Sequence, residues 1–518
     1  MLDLGTSLIA SVERDPNALA ISDGDLDLTY ADWFAKISAL VDGLRAMGLK
    51  PGDHVLTIMQ NRWENASLHW AGQLAGLIVT PLNWRAKPDE IDHALEDSDA
   101  RAIFYQDVAV AAVAVSQKSR NVPRIMAGEA EDGAASLSAM LSGGAPDASP
   151  QASADDWSLM LYTSGTTSRP KGVPRRHRAE RAAALAHVAQ NLYRHGERTL
   201  GVMPLYHTMG VRSLLASSLI GGAFVCLPRF DVASALKTIE AKKVTNLYLV
   251  PTLYHDIIQH EAFSKARVAS VTKLGFAGAS MTDGLMKKLN AAFEPELFVN
   301  HYGSSEIYTC TIDQKAPLKP GSAGRSGLNQ MIRVVPLGAN DAETKAKPGV
   351  EGEIVALLKG DEAFEGYWKR PEATAKAIRD GWYFTGDTGY FDEEGDLFVT
   401  GRADDMIITG GENVSPVEVE SCLSLHHAVA EVAVVGLPDE RWGKIVTAFV
   451  KRSGAVDEAD LDAHCKSSGL ANFRRPRAYV FVDEIPKSPV GKLLRRKLVA
   501  GEYDREKAAP ASGDTKPS

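Results

Sequence analysis

The chain contains 518 residues, of which 45% are hydrophobic and 24% are charged, and its formal net charge is −9. This length exceeds what one hydrophobic core usually serves, so two or more domains are expected. A net negative charge provides no positive field that would attract nucleic acid or anionic lipid. The charge therefore favours a small-molecule substrate.

Cysteine usage and the N-terminal sequence predict a protein of the reducing cytoplasm. The four cysteines are far apart and in no spacing typical of a zinc site or a disulfide framework. Residues 1–16 lack a basic segment followed by a long apolar stretch. The longest conspicuous apolar run, at residues 108–115, is far shorter than the roughly 20 residues of a membrane-spanning helix.

Apolar runs alternate with helical patterns along much of the chain. Residues 53–59 predict a strand and residues 63–77 a helix, an alternation typical of an α/β fold. Residues 128–156 are rich in Ala, Ser, Gly, Pro and Asp and predict a surface connection. Beyond these, three strands (430–436, 444–451 and 479–482) and an amphipathic helix (457–466) predict a small α+β domain.

The most informative segment follows an apolar run at residues 159–162 and combines hydroxyls, a glycine and a lysine. Its residues are Thr163, Ser164, Gly165, Thr166, Thr167, Ser168, Arg169, Pro170, Lys171 and Gly172. Backbone N–H groups in a glycine-containing turn, a row of hydroxyls and a mobile positive charge suit a polyphosphate. A Walker loop is excluded because Pro170 precedes Lys171 and Gly172 follows it. The alternative is a polar hairpin without a ligand.

This segment, from Tyr162 to Gly172, resembles the signature loop of the adenylate-forming superfamily of acyl-CoA synthetases, peptide-synthetase adenylation domains and luciferases. The resemblance extends over most of the chain. It implies a large N-terminal α/β domain, with sheets flanked by helices plus a small β-barrel-like part, and a smaller mobile α+β C-terminal domain. The loop departs from the family at Ser168, where glycine is usual, so a positive backbone angle there would carry a cost.

The resemblance also implies domain boundaries. Residues 1–400 form the adenylation domain, 401–404 the hinge with Asp404 as its pivot, 405–505 the mobile domain, and 506–518 a disordered tail. Rotation about such a hinge alternates two catalytic arrangements, one for each half of the reaction.

A second motif places a hydroxyl and a carboxylate side by side, and it consists of Tyr302, Gly303, Ser304, Ser305 and Glu306. A carboxylate beside a triphosphate suits magnesium, which prefers a few carboxylates plus phosphate oxygens. By resemblance, Tyr302 stacks on adenine, and Glu306 holds the metal together with Thr166. The alternative for Glu306 is a solvated loop residue.

Further positions complete the nucleotide site. Asp387 and Arg402 suit a ribose clamp, because a carboxylate accepts hydrogen bonds from two hydroxyls and a nearby guanidinium adds donors. The small residues Gly278, Ala279 and Ser280 are similar to the wall of the family's adenine and acyl pocket.

Lys492 follows Gly491 in a Pro-Lys-x-x-x-Gly-Lys motif that matches the family's catalytic lysine. That ammonium would stabilise charge on the attacking carboxylate and the α-phosphate as pyrophosphate leaves. An isolated lysine is normally a surface residue. The neighbouring Arg495, Arg496 and Lys497 are interpreted as solvated helix charge.

Coenzyme A is the expected thiol donor. In the family a Gly-Gly segment lines the thiol tunnel, here Gly410 and Gly411 followed by Glu412. An aromatic ring beside guanidinium groups suits an adenine and its phosphates, and the residues that offer this are Phe473, Arg474, Arg475 and Arg477, with Trp442 flanking the pantetheine arm. The alternatives are a basic surface turn for the arginines and, for Trp442, an aromatic side chain that fills a gap between domains.

Within the superfamily the chain resembles bacterial aryl-CoA ligases of the 4-chlorobenzoate type, notably at residues 204–207 and 401–420. His207 is similar to the gate of the acyl pocket, although a lone histidine is more often structural. The expected pocket residues are His207, Thr208, Met209, Leu249, Val250, Gly278, Tyr302, Gly303, Ile307, Tyr308 and Thr309. Such a mixed wall favours an aromatic or cyclic acid, with an aliphatic acid as the alternative.

The sequence thus predicts an ATP-, Mg²⁺- and coenzyme A-dependent carboxylate ligase that is a monomer or homodimer. Three alternatives share the nucleotide motifs: adenylation for a separate carrier protein, a luciferase-like oxygenase, and a non-catalytic nucleotide sensor.

Overall fold

The computed structural model describes residues 1–128, 134–144, 146–163, 170–402, 405–488, 491 and 493–506. Their strands form sheets of fourteen, seven, three and two strands. No helix in these ranges combines the length and apolarity that crossing a membrane requires.

The first part of the chain alternates strands and helices. Its elements are α1 (Leu4–Arg14), β1 (Leu19–Asp23), β2 (Leu26–Thr29), α2 (Tyr30–Ala46), β3 (His54–Ile58), α3 (Trp63–Ala75), β4 (Ile78–Pro81), α4 (Pro88–Ser98), β5 (Ala102–Gln106), α5 (Val110–Val115), β6 (Arg124–Ala127), β7 (Ala135–Ser136), α6 (Leu137–Ser142) and β8 (Trp157–Thr163). The predicted strand at 53–59 and helix at 63–77 are confirmed as β3 and α3.

The predicted surface connection at 128–156 is wrong in part. Leu137 and Leu141, one helical turn apart on α6, are buried in the first hydrophobic core. Met140 packs against Gly43 of α2, where an added Cβ would lie 2.5 Å from its terminal methyl carbon. Average composition conceals these few apolar residues because polar neighbours outnumber them.

A parallel sheet positions the site. The next elements are β9 (Lys171–Arg176), α7 (His177–Gln190), β10 (Arg198–Gly201), α8 (Thr208–Leu219), β11 (Ala223–Cys226), α9 (Val232–Lys242), β12 (Asn246–Leu249), α10 (Pro251–Gln259), β13 (Lys273–Phe276), α11 (Asp283–Phe293) and β14 (Leu297–Tyr302). Strands β12, β13 and β14 pair in parallel. Their carboxyl ends therefore lie at one edge, where open α/β sheets bind ligands.

Antiparallel strands extend this sheet to fourteen in all. They are β15 (Thr311–Asp313), β16 (Ser322–Ser326), β17 (Ile332–Val335), β18 (Gly352–Leu357), β19 (Ile378–Arg379), β20 (Trp382–Phe391) and β21 (Leu397–Arg402), with α12 (Pro371–Ala377) between β18 and β19. A separate apolar core lies against β16–β21. The seven-stranded sheet has the order β7-β6-β5-β3-β4-β8-β9.

The C-terminal part has its own α+β architecture. Its elements are β22 (Ile407–Thr409), β23 (Glu412–Val414), α13 (Pro416–Ser424), β24 (Val429–Asp439), β25 (Gly443–Arg452), α14 (Glu458–Ser467), β26 (Ala478–Phe481) and α15 (Arg495–Val499). The three predicted strands and the helix are confirmed as β24, β25, β26 and α14.

Two expectations for this part are corrected. Arg495 is not free helix charge: its Nη2 donates at 2.8 Å to both carboxylate oxygens of the buried Glu420. The predicted tail begins one residue too early, because Glu506 pairs with Arg452 at 2.7 Å. Residues 507–518 lie outside the described ranges.

Candidate active site

The predicted ribose clamp is assembled by two paired strands. Asp387 of β20 lies opposite Arg402 of β21, and the carboxylate and guanidinium are 3.4 Å apart. The Tyr302 hydroxyl, at the end of β14, donates to Asp387 Oδ2 at 2.7 Å. Burial and the Asp387 charge hold the pKa of Tyr302 well above its usual value, so the hydroxyl remains a donor. Three predicted nucleotide residues therefore lie in one group.

Glu306 is held by a tight turn that requires glycine. A Cβ on Gly303 would lie 2.3 Å from the Tyr308 carbonyl oxygen, and the Ser304 N–H donates to Ile307 O at 2.8 Å. Glu306 is only 7% exposed, and its Oε1 accepts the Tyr367 hydroxyl at 2.7 Å. Ser305, within this turn, is half-buried.

Tyr367 connects the two halves of the predicted phosphate site. The Lys171 ammonium lies 4.4 Å from its ring centre, while its hydroxyl binds Glu306. Lys171 opens β9 opposite Thr163 of β8, so the two ends of the predicted loop lie beside each other. Ser164, Gly165, Thr166, Thr167 and Ser168 lie outside the described residues, and their predicted roles stay predictions.

Glu306 fits a divalent cation. Among the described residues, no Lys, Arg or His nitrogen lies within the 4.0 Å ion-pair distance of its carboxylate. A buried carboxylate that lacks a cationic partner is costly, and Mg²⁺ with phosphate oxygens would remove that cost.

The C-terminal part touches the carboxyl ends of the parallel strands. Thr252, near the start of α10, donates to the Gly491 carbonyl at 3.1 Å. The predicted catalytic Lys492 follows Gly491 but lies outside the described residues, as does the predicted pivot Asp404. Gly278, which follows β13, has φ +84° and is exposed together with Ser280, while Ala279 is half-buried.

A polar contact joins the two parts and is called here the Glu431 bridge: Lys487, Glu431 and His255. Lys487 precedes the predicted catalytic lysine by five positions, and its ammonium lies 2.8 Å from Glu431 Oε2. The other Glu431 oxygen is 3.7 Å from Nδ1 of His255 on α10. The strand β24 therefore links the lysine segment to the larger part.

The predicted pocket residues are mostly buried. The His207 Nδ1 accepts the Met209 N–H at 3.3 Å and thereby caps α8. Thr208, Met209 and Leu249 are all below 7% exposed. The Tyr308 hydroxyl bonds to Glu180 at 3.2 Å, and Thr309 accepts a hydrogen bond from Arg212. These two hydroxyls are thus engaged within the protein.

The predicted thiol-side residues separate into two places. Gly410 and Gly411, at φ +59° and +87°, form the turn between β22 and β23, and a Cβ on Gly410 would lie 2.7 Å from the Trp442 ring. Arg477 stacks on that ring at 4.3 Å. Glu412 begins β23 and is exposed.

The other two predicted coenzyme contacts point elsewhere. Arg475 pairs with Asp462 of α14 at 2.6 Å, and Phe473 packs against the C-terminal core. The prediction missed this division because it depends on Asp462, which is distant in sequence. Tyr367 was also missed, since an aromatic residue in a loop carries no distinctive signal.

Together, the fold and the grouping of Tyr302, Asp387, Arg402, Glu306 and Lys171 define an adenylate-forming enzyme. Comparison with known families agrees: residues 8–368 match the AMP-binding enzyme family, and residues 418–492 match the AMP-binding enzyme C-terminal domain. The chain belongs to the AMP-binding enzyme family.

The relatives include CoA ligases. The chain is 34% identical to a 4-chlorobenzoate–CoA ligase of Arthrobacter sp, over 97% of this chain and 96% of the relative. It is 32% identical to the long-chain-fatty-acid–CoA ligase FadD13 of Mycobacterium tuberculosis, over 92% and 93% of the two chains. The crystal structure of ATP-bound MatB from Rhodopseudomonas palustris superposes with a TM-score of 0.86 at 28% identity, covering 96% and 98%.

Proposed function

We propose that this protein is an ATP-dependent carboxylate–CoA ligase acting on an aromatic or cyclic acid. A carboxylate oxygen attacks the α-phosphorus of ATP, the bond to the β-phosphate oxygen breaks, and acyl-AMP and pyrophosphate form. The coenzyme A thiolate then attacks the acyl carbon, and AMP leaves with the bridging oxygen. The observation that carries this proposal is the arrangement of Lys171, Tyr367 and Glu306 beside the Tyr302, Asp387 and Arg402 group.

In the first half-reaction, Asp387 accepts the ribose hydroxyls and Tyr302 flanks the adenine. The charge of Lys171 acts on the phosphates near Glu306, and Lys492 stabilises the charge that develops during attack. Glu306 and Thr166 would hold Mg²⁺, which would supply positive charge to neutralise the phosphates. The contact between Thr252 and Gly491 supports an orientation that delivers Lys492 to this site.

In the second half-reaction, rotation about Asp404 replaces the lysine by the thiol-side surface. Gly410 and Gly411 keep side-chain volume away from the thiol path, because each has a backbone angle that favours glycine. Trp442 with Arg477 offers an aromatic face and a guanidinium for the coenzyme. Phe473 and Arg475 would have to leave their present partners to contribute.

The test is pyrophosphate release measured over benzoates, cinnamates, cyclic and aliphatic acids, with and without coenzyme A. We expect an aromatic or cyclic acid to give the highest rate and a thioester to form with free coenzyme A. Lys492→Ala should abolish most pyrophosphate release while ATP still binds. Release that is unaffected by Lys492→Ala, or the absence of release with every acid, would refute the proposal, and the best rates with linear acids would refute the substrate class.

A further inference from the structure

A cluster of buried polar side chains lies behind the predicted acyl pocket. It consists of His187 on α7, Arg212 on α8, Tyr248 on β12 and His301 on β14, each at most 2% exposed. The three rings have centres 4.7 to 5.2 Å apart, and the Arg212 guanidinium lies 5.5 Å from the Tyr248 ring. We call these four residues the polar cluster.

The polar cluster adjoins the residues predicted to bind the acid. Arg212 lies one turn after Thr208 on α8, and its two terminal nitrogens donate to the Thr309 hydroxyl and the Tyr308 carbonyl. His301 directly precedes Tyr302 in β14, so the two side chains project from opposite faces of the strand. The polar cluster therefore occupies the α7 and α8 side of the sheet, next to the nucleotide residues.

Asn191 determines which nitrogen of each histidine carries the proton. Its Nδ2 donates to the His187 carbonyl at 2.8 Å and lies 3.1 Å from His187 Nδ1. A carbonyl only accepts, so this end of the amide is the donor, His187 Nδ1 accepts, and the His187 proton is on Nε2. The Asn191 Oδ1 lies 3.2 Å from His301 Nε2, so that nitrogen donates and His301 Nδ1 is an acceptor.

Both rings are neutral in the folded protein. Burial, followed by the charge of Arg212 and, for His187, the neighbouring His301, holds the pKa of each well below its usual value. A neutral imidazole has one donor and one acceptor, which completes the assignment.

Four polar atoms of the cluster have no hydrogen-bond partner among the described residues: Nε2 of His187, Nε of Arg212, the Tyr248 hydroxyl and Nδ1 of His301. Buried polar atoms are nearly always paired. These four atoms comprise two fixed donors, one fixed acceptor and one rotatable hydroxyl. The buried carboxylate of Glu362, whose oxygens also have no hydrogen-bond partner among the described residues, interacts electrostatically with Arg212 and Tyr248. A hydroxyl group, which accepts two hydrogen bonds and donates one, complements the fixed atoms. A second carboxylate on the acid would not fit, because its oxygens only accept hydrogen bonds and would place a lone pair against the acceptor His301 Nδ1.

We propose that the acid activated by this enzyme carries a hydroxyl group remote from its carboxylate, and that the polar cluster binds this hydroxyl. The substrate hydroxyl accepts from His187 Nε2 and Arg212 Nε and donates to His301 Nδ1, with Tyr248 as the additional partner. This inference rests on the proposed ligase function and specifies its substrate class.

The first experiment compares kcat/KM for acids that differ by one hydroxyl, such as benzoate with 3- and 4-hydroxybenzoate and hexanoate with 6-hydroxyhexanoate. We expect a hydroxylated member to be preferred by about 100-fold or more, because its absence leaves several buried polar groups unpaired. Equal kcat/KM values within every pair would mean that water alone occupies the polar cluster. A preference for terephthalate, which carries a second carboxylate instead of a hydroxyl, would contradict a hydroxyl-binding site. Either result overturns the inference. No pyrophosphate release with any acid would instead refute the ligase function itself.

A matched pair of tyrosines separates binding from stability. Tyr248→Phe removes a hydroxyl without a described partner, so Tm should be unchanged or higher, while the hydroxyl preference should fall about tenfold. In the control Tyr254→Phe, the lost hydroxyl lies 2.9 Å from the carbonyls of Leu247 and Gly275, so Tm should fall and the preference should stay. A Tyr248→Phe variant that loses Tm and keeps the preference would show a structural hydroxyl and overturn the inference.

Discussion

Removing the charge at Glu431 should slow adenylation and spare thioester formation. Glu431 pairs with Lys487 at 2.8 Å and faces His255 of the larger part at 3.7 Å. The Glu431→Gln substitution keeps the shape but removes the carboxylate charge that pairs with Lys487 within the C-terminal part and faces the His255 ring of the larger part. Lys487 lies in the segment that carries Lys492. Loss of the Glu431 charge should therefore destabilise the orientation in which Lys492 reaches the nucleotide.

The size of the effect follows from the exposure of the pair. The Glu431 and Lys487 side chains are 13% and 20% exposed, between a surface pair worth less than about 1 kcal/mol and a buried charged hydrogen bond worth about 1.5–3 kcal/mol. About 1.4 kcal/mol is a factor of ten. We therefore expect a roughly tenfold decrease in pyrophosphate release without coenzyme A.

The assay measures both halves separately. Conversion of synthetic acyl-AMP to the thioester should proceed at the unmodified rate, because that step uses the other orientation. The control Glu484→Gln removes an ion pair with Lys451 at 3.1 Å within the C-terminal part and should affect neither half. Equal slowing of both halves by Glu431→Gln, or no slowing of either, would refute the role of the Glu431 bridge.

Three further predictions concern the turn, the buried histidines and the cysteines. Gly410→Ala should slow thioester formation from acyl-AMP more than Gly411→Ala does. Both residues have positive φ, but only Gly410 faces Trp442. Equal slowing by the two substitutions would contradict this prediction. Burial lowers the pKa of His177 to about 4. As pH falls, this histidine therefore takes up a proton in the unfolded chain before it does so in the folded protein. The free energy of unfolding, measured in urea, should decrease by about 2 kcal/mol per such histidine between pH 7 and 5. The His177→Asn variant should show a smaller decrease, and the same pH dependence in both proteins would contradict this prediction. The contact between its sulfur and that of Cys465 lowers the pKa of Cys422 below its usual value, whereas the other three cysteines are buried. Mass spectrometry should therefore find iodoacetamide first at Cys422, and faster labelling of another cysteine would contradict this.

The sequence motifs predict which nucleotide-site candidates lie together in the fold better than they predict this for the thiol-side candidates. Tyr302, Asp387 and Arg402 lie at strand ends or on paired strands, where motif position determines spatial position. Lys171 and Glu306 are connected through Tyr367, and the spacing of these residues in the sequence does not predict that contact.

On the thiol side, the outcome depends on competing partners. Arg475 resembles a phosphate ligand in sequence, yet Asp462 provides a carboxylate at 2.6 Å. The sequence predicts solvated helix charge at Arg495, yet its Nη2 donates to both carboxylate oxygens of the buried Glu420. Long-range ion pairs of this kind depend on how α13, α14 and α15 pack, which local patterns do not contain.

The most direct test of acyl-AMP formation follows an oxygen atom. The acid is prepared with ¹⁸O in its carboxylate, and the products of a complete turnover with ATP and coenzyme A are analysed by mass spectrometry. If the carboxylate attacks the α-phosphorus, one ¹⁸O atom appears in AMP and none in pyrophosphate. Label in inorganic phosphate, with ADP as the nucleotide product, would contradict the account.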